Sequence, residues 1–402
     1  MLLASLSIIP ACRINDDPAV SEQPVPLQVD KASKIFWVKE VPDQPFGSEI
    51  ANHHSGIDAL LDLMADHELS FYKRQNSFKQ SEAYGLIAPD DVVLIKVNAQ
   101  WKYRGCTNSD LIRGVIQSIL DHPDGFRGEV VIVENGQGRG SLNCDTASSY
   151  GGNSDIQANA DDPGHSFLYL ANEIFKNEPV SAYLLDPIRN TFISAEDHDH
   201  AGYRLLENVS YPCFTTARGT RVELLEGVWK DGAYQQNLKL INVPVLKHHD
   251  QGGSEITAAL KHFYGLVSMS DGQSNARHYS GLGETCGKMV VSVRPPVLHI
   301  IDAIWVSHKA ITGYPAQNTM RVNQILASQD PVALDYWAAK NVLYPIDGNY
   351  RHHPDFAGIA AWLADAQVTI NSRGGTFKPE WGIRVGNVTR NEDEMQVLIA
   401  TV

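Results

Sequence analysis

Two continuous apolar runs separated by one amphipathic segment constrain the fold of this chain more than any other feature. DVVLIKVN (91–98) and EVVIVEN (129–135) show no polar alternation, which is typical of strands buried on both faces. Between them, SDLIRGVIQSILDH (109–122) places apolar side chains on one helical face, and Asn108 or Ser109 is its expected N-cap. A strand, a helix and a strand joined by short loops form a βαβ unit, so we expect a parallel sheet with right-handed crossovers.

The alternation of strands and helices continues along the rest of the chain. Further strands are predicted at 34–41, 180–186, 221–229, 239–246 and 297–304, and further helices at 52–66, 165–177, 254–268, 330–343 and 356–366. Ser254 is the expected N-cap of the helix 254–268, and Pro331 takes the first helical position after Asp330. The sequence therefore predicts an α/β fold with a doubly wound, mostly parallel sheet and helices on both faces.

The N-terminal region differs in character from the rest of the chain. Its apolar start, MLLASLSIIPA, is shorter than the 20 or so residues that span a bilayer, but it fits the apolar region of a secretory signal. A small residue before Cys12 resembles a lipidation site, although a frayed apolar terminus is the alternative. We expect residues 1–30 to be an export signal and tether. Residues 31–402 then form a single large α/β domain, or two lobes of it with a cleft between them.

This interpretation places the protein outside the cytoplasm, in the periplasm or on the cell surface, with a lipid at Cys12 as its one attachment to a membrane. The charges, 33 Lys and Arg against 47 Asp and Glu, give −14 and argue against nucleic-acid binding. The five cysteines contain no C-x-x-C spacing, so we expect no iron–sulfur cluster and no zinc ribbon.

Polar side chains lie at the carboxyl ends of four predicted strands, where open parallel sheets bind ligands. They are Lys96 and Asn98, Glu134 and Asn135, the run of Lys247, His248, His249 and Asp250, and Asp302. Cations, imidazoles and carboxylates together suit an anionic ligand or a metal, whereas a simple ion pair between Lys96 and Glu134 is the alternative. Adjacent side chains of a strand point to opposite faces, so we expect one of His248 and His249 to face the site.

Two histidine-rich segments and two cysteines are further candidates for functional residues. EDHDH (196–200) offers His198 and His200 to a divalent cation, and RHHPD (351–355) is a second histidine-rich segment, although each is also typical of a solvated loop. Cys106 and Cys144 lie near two predicted strand ends and are interpreted as inert small hydrophobes or an adventitious disulfide.

Five segments resemble, in the same order, the family known as domain of unknown function 362 (DUF362). They are VLIKVN (93–98), VVIVENG (130–136), LINVPVLKHHDQGGSEITAALKHFYGLVS (240–268), HIIDAIWVSHKAITGYPA (299–316) and ILASQDPVALDYWAAKNVL (325–343), and they cover roughly residues 90–345. The resemblance marks Lys96, Asn98, Lys247, His249, Lys261, Asp302, Asp330 and Asp335. Many members add ferredoxin-type cysteine motifs that this chain lacks, so electron transfer is not implied. The layout is also similar to the nickel-dependent lactate racemases, in which a lysine and histidines hold a metal-bearing nucleotide cofactor.

These residues predict a pocket for a small anionic ligand or a metal-bearing cofactor. Lys96, Lys247 and Lys261 would hold the anion, because three ammonium groups near one point repel each other unless an anion offsets them. His248 or His249 would donate a proton or bind a divalent metal, oriented by Asp302 or Glu134. We expect an enzyme of the redox or isomerase type. A non-catalytic, surface-anchored scaffold and a metal-dependent hydrolase are the alternatives.

Overall fold

The computed structural model describes residues 26–47, 52–75, 77–135, 141–145, 155–185, 202–268 and 276–402. The predicted export signal with Cys12 and the cluster 196–200 with His198 and His200 lie outside these ranges. Within the described ranges, no helix has both the length and the apolar character needed to cross a membrane.

Strands and helices alternate along the described chain. The strands are β1 (Ser33–Lys39), β2 (Val92–Lys96), β3 (Glu129–Glu134), β4 (Val180–Leu184), β5 (Tyr203–Leu206), β6 (Val209–Thr215), β7 (Arg221–Glu223), β8 (Gly227–Lys230), β9 (Ala233–Gln235), β10 (Leu238–Asn242), β11 (Val245–His248), β12 (Ile256–Thr257), β13 (Leu298–Ser307), β14 (Thr319–Ser328) and β15 (Met395–Thr401). The helices are α1 (Ser55–Asp66), α2 (Gln80–Ala83), α3 (Ser109–Leu120), α4 (Phe167–Tyr169), α5 (Ala259–Phe263), α6 (Leu282–Lys288), α7 (Pro331–Ala338), α8 (Tyr344–Asp347) and α9 (Ala357–Asn371).

The main sheet has the strand order β15-β1-β14-β13-β10-β2-β3-β4. The strands from β13 to β4 are parallel, with Ile95 opposite both Ile241 and Ile132. β14 runs antiparallel to its neighbours β13 and β1, and β11 pairs in parallel with the far end of β13. The prediction of an α/β fold with a mostly parallel sheet is confirmed.

Successive side chains of the central strands point into two buried clusters. Val93 and Ile95 of β2 pack with residues of α1, α3 and α4 in one cluster. Leu94, between them, packs in the other cluster with residues of α5, α6, α7 and α9. The two clusters explain why the strands are apolar throughout, because each face of the sheet is covered by helices.

Local capping signals are confirmed at two helices. Asn108 caps α3 by accepting a hydrogen bond from the Leu111 N–H at 3.0 Å. Asp330 caps α7 in the same way, and Pro331 occupies the first helical position.

Three predicted elements were wrong in extent. The segment 221–229 is two strands, β7 and β8, joined by a turn at residues 224–226 and belonging to a separate antiparallel sheet of β5 to β9. The segment 239–246 is also two strands, β10 and β11, and the break falls at Pro244, which lacks the N–H that a continuous ladder requires.

The predicted helix 254–268 is shorter than its apolar pattern suggests. Ile256 and Thr257 form β12 against β11, so Ser254 does not cap the helix. The helix α5 begins at Ala259, where Asp335 of α7 accepts the N–H groups of Ala259 and Leu260 at 2.6 and 3.0 Å. A cap supplied by a distant helix leaves no local signal in the sequence.

Candidate functional site

Lys96 and Glu134 form an ion pair at the ends of β2 and β3. The Lys96 Nζ donates to both Glu134 carboxylate oxygens, at 2.9 and 3.0 Å, and to the Val97 carbonyl at 3.0 Å. Glu134 also accepts the backbone N–H groups of Ala99 and Asn135. Burial lowers the pKa of Lys96 and raises that of Glu134, and the attraction between the two opposes both shifts. Lys96 is thus held by Glu134, as in the alternative stated above.

Lys247 lies on β11 and is fully buried. Its Nζ donates to the Gly105 carbonyl oxygen at 2.5 Å. Burial lowers the pKa of Lys247 to about 7, while the nearby Cys106 and Glu134 counteract the shift and Lys96 adds to it. An ammonium buried against a carbonyl oxygen is costly for the fold, because a carbonyl offers no compensating charge.

His249, Asp250 and His278 bring together one ligand atom each, and these atoms lie within 4.8 Å of one another. The three side chains are only half-buried, and the His249 Nδ1 contacts the Asp250 carboxylate. Lys261 joins them from α5, with its Nζ 3.3 Å from His278 Nε2 and 4.5 Å from the centre of the Tyr264 ring. Burial lowers the pKa of His249 to about 3 and that of Lys261 to about 8. His249 is therefore neutral, which is the form that binds metals.

His248 points to the opposite side of its strand, into a second group of histidines. The His248 Nδ1 lies 2.9 Å from His352 Nε2, and the His308 Nδ1 lies 3.0 Å from an Asp347 carboxylate oxygen. The His352 Nδ1 lies 3.7 Å from the other oxygen of Asp347. His352 is fully buried, so at this residue the segment 351–355 is not the solvated loop given above as the alternative.

The other residues predicted for the site mostly form hydrogen bonds with backbone groups. Asp302 accepts the N–H groups of Asn108 and Ile304, and its burial raises its pKa to about 7. Asn135 donates to the Val267 carbonyl and to the Tyr203 hydroxyl. Asn98 has a buried Oδ1 without a hydrogen-bond partner among the described residues. A buried acceptor left unpaired at a strand end is suited to a ligand.

The three lysines lie in one region of the molecule. Lys96 is close enough to both Lys247 and Lys261 to lower their pKa values by charge repulsion, after the larger effect of burial. The structure thus brings the lysines and His249 together, and it separates them from His248. Our sequence reasoning missed His278, because its Gly- and Ser-rich surroundings carry no strand or helix pattern and its neighbours here are distant in the chain.

Fold and site define an α/β protein with a cluster of amines, imidazoles and a carboxylate at the carboxyl edge of its main sheet. A family model described as "Domain of unknown function (DUF362)" matches residues 229–340. The match confirms the resemblance to this family seen in the sequence, and the matched segment includes Lys247, His249, Asp250, Lys261 and His278. No curated protein and no solved structure matches the chain. The similarity to the lactate racemases stays a prediction.

Proposed function

We propose that this protein is a metal-dependent enzyme for a small anionic substrate, of the redox or isomerase type. One observation supports the proposal: the ligand atoms of His249, Asp250 and His278 lie within 4.8 Å of one another, with the Lys261 amine 3.3 Å from His278 Nε2. Two imidazoles and a carboxylate form a donor set suited to Zn²⁺, Ni²⁺ or Fe²⁺. Three protein ligands leave coordination positions for a substrate, where the metal would act as a Lewis acid.

The position of Lys261 favours an anionic substrate. An ammonium group beside a divalent cation is repelled unless a negative group lies between them. A substrate carboxylate or phosphate bound by both would satisfy that requirement. Lys247 and the unpaired Asn98 Oδ1 are further polar groups at the same strand ends, and they suit the inner part of such a substrate.

Metal content and metal binding test the proposal directly. Protein purified without chelator would be analysed for bound metals, stripped with EDTA, and titrated with Zn²⁺ and Ni²⁺ by calorimetry and thermal shift. We expect one equivalent to bind and to raise Tm, as any ligand of the folded state does. His278→Ala should lose this response.

His53→Ala is the matched control, because His53 also contacts carboxylates, those of Asp58 and Asp121, but as a partly exposed group outside the cluster. Equal metal binding by the wild type and His278→Ala would refute the proposed site. A wild-type protein that binds neither metal nor anions would favour the scaffold alternative.

We also propose that the protein is exported and lipid-anchored at Cys12, on the sequence features described above. Labelling of cells with a fatty-acid analogue, followed by fractionation, tests this. The wild type should carry the label and sediment with membranes, whereas Cys12→Ser should not. An unlabelled wild-type protein in the cytoplasmic fraction would exclude export.

A further inference from the structure

Glu255 ends the loop 249–255, which joins β11 to β12 and carries His249 and Asp250. Its side chain is buried, whereas the converging ligand atoms belong to His249, Asp250 and His278. The Glu255 backbone has a φ of 64°, in the left-handed region that few residues other than glycine adopt. Such a conformation persists only where the surrounding structure enforces it. The contacts of Glu255 must therefore hold this part of the loop in place.

Glu255 forms three hydrogen bonds with the backbone of its own loop. Its carbonyl accepts the His249 N–H at 2.8 Å, and its own N–H donates to the Asp250 carbonyl at 3.3 Å. Its Oε1 accepts the Gly252 N–H at 2.8 Å. Through these bonds Glu255 fixes the backbone of both proposed metal ligands of the loop.

Arg351 holds the Glu255 side chain from outside the loop. Its Nε donates to Glu255 Oε2 at 2.8 Å, and its Nη2 donates to Oε1 at 2.5 Å. This two-point arrangement fixes both the position and the plane of the carboxylate. The residue after Arg351 is His352, which is fully buried against His248. The second group of histidines thus anchors the segment that presents Arg351 to the loop.

We propose that Glu255 and Arg351 are positioning residues, which hold the loop 249–255 in the shape that binds the metal. The inference rests on the proposed function, and the hydrogen bonds of Glu255 carry it. Replacement of a residue that orients metal ligands without touching the metal typically weakens metal binding about 10–100-fold. The pair would thus set the affinity of His249 and Asp250 for the metal without contacting it.

The loop needs such support because it contains two glycines. Gly252 has a φ of 76°, and an added Cβ at Gly253 would clash with the Asp250 carboxylate. Glycine at these positions allows the turn, but it also gives an unrestrained loop many conformations. A loop that must become ordered on binding binds its ligand more weakly, so the order that Glu255 imposes beforehand raises the affinity.

Arg351 distinguishes this role from that of a further metal ligand. If the Glu255 carboxylate bound the metal, the guanidinium would compete for the same oxygens and repel the cation, so its removal would strengthen metal binding. In a positioning role, removal of Arg351 frees the Glu255 side chain and weakens metal binding. The two roles therefore predict opposite effects of one substitution.

Calorimetric titration of the full-length, EDTA-stripped protein with Zn²⁺ tests the proposal. We expect Glu255→Gln and Arg351→Gln each to bind one equivalent, with a Kd about 10–100-fold higher than that of the wild type. Arg351→Lys keeps the charge but not the planar fork, so its Kd should lie between those of the wild type and Arg351→Gln. This conservative variant also decides the question if a more drastic one fails to fold.

Arg384→Gln is the matched control, because Arg384 also forms an ion pair with a carboxylate, that of Asp30 at 2.9 Å, outside the loop. It should lower Tm but leave the Kd for Zn²⁺ unchanged. A wild-type Kd in either Glu255→Gln or Arg351→Gln, or tighter binding by Arg351→Gln, would overturn the positioning role while the metal site stands. A wild-type protein that binds no Zn²⁺ would overturn both.

Discussion

Lys96 Nζ and Glu134 Oε1 lie 2.9 Å apart in the protein interior, with side-chain exposures of 1% and 2%. In the parallel register of β2 and β3, Lys96 is opposite Val133, so its partner is the next residue along the neighbouring strand. The ion pair therefore joins the carboxyl ends of two central strands. The pair thus stabilises the edge of the sheet at which the polar residues of the site lie.

Removal of one partner of this pair should be strongly destabilising. Lys96→Met would leave Glu134 buried without its counter-charge, at a cost of about 3–5 kcal/mol. Lys96→Met combined with Glu134→Gln should cost less than the sum of the two single changes, because the double variant buries no unpaired charge. Urea denaturation of the four proteins measures the coupling, and strictly additive effects would show that the pair contributes nothing specific.

Gly265 is the residue against which the Lys96 amine packs. A Cβ added at Gly265 would lie 2.9 Å from Lys96 Nζ and 3.6 Å from Glu134 Oε1. Because the amine is fixed by three hydrogen bonds, we expect Gly265→Ala to destabilise the fold by about 1–3 kcal/mol. Gly47→Ala is the control, since nothing lies within 4 Å of its added Cβ. Equal denaturation midpoints for both variants would contradict this packing.

The buried carboxyl group of Asp335 should contribute less to stability as the pH rises. Burial raises the pKa of Asp335 from 3.8 to about 7, so the folded protein binds this proton more tightly than the unfolded chain does. The contribution of Asp335 to stability should then fall between about pH 4 and 7, by at most about 4 kcal/mol, at about 1.4 kcal/mol per pKa unit. Asp335→Asn keeps one oxygen for the α5 N–H groups but does not ionise.

The free energy of unfolding, measured from about pH 4 to about pH 8, checks this prediction. The wild-type curve also includes Asp302, whose pKa burial raises to about 7, and His249, whose pKa burial lowers to about 3 and which acts in the opposite direction. The unfolding free energy of Asp335→Asn minus that of the wild type should therefore rise with pH, by at most about 4 kcal/mol. An Asp335→Asn slope equal to that of the wild type would show that Asp335 is ionised in the folded protein throughout this range.

The sequence alone predicted the elements whose signals are local. Apolar runs marked β2 and β3, and Asn108 and the Asp330–Pro331 pair marked the starts of α3 and α7. The start of α5 was not predictable in this way, because its cap is Asp335, more than 70 positions away.

Individual strand-end residues were predictable, but their partners were not. Alternation along β11 predicted that His248 and His249 would face opposite sides, and they do, towards His352 and His278 respectively. Which of them lies with Lys261 depends on how α5 and the segment around His278 pack on the sheet. Such packing is set by the whole apolar core, so no spacing in the sequence reveals it.

Substitution of Lys247 should weaken ligand binding without lowering the stability of the fold. Its buried ammonium has the Gly105 carbonyl as its hydrogen-bond acceptor, so Lys247→Met replaces a poorly compensated charge by an apolar side chain of similar length. We expect Tm to stay constant or to rise, since exchange of a buried charge for a packed hydrophobe is often neutral or stabilising. The same variant should lose binding of an anionic probe such as phosphate or malonate by at least about tenfold, or about 1.4 kcal/mol.

Lys239→Met is the matched control, because Lys239 is a buried lysine of β10 that pairs with Asp91 at 3.9 Å. It should lower Tm, since it leaves Asp91 buried alone, and should not change anion binding. Thermal unfolding and calorimetric titration compare the two variants. If Lys247 binds a ligand and Lys239 stabilises the fold, Lys247→Met loses anion binding but keeps its Tm, whereas Lys239→Met keeps anion binding but loses Tm. A large loss of Tm in Lys247→Met with anion binding intact would make Lys247 a structural residue.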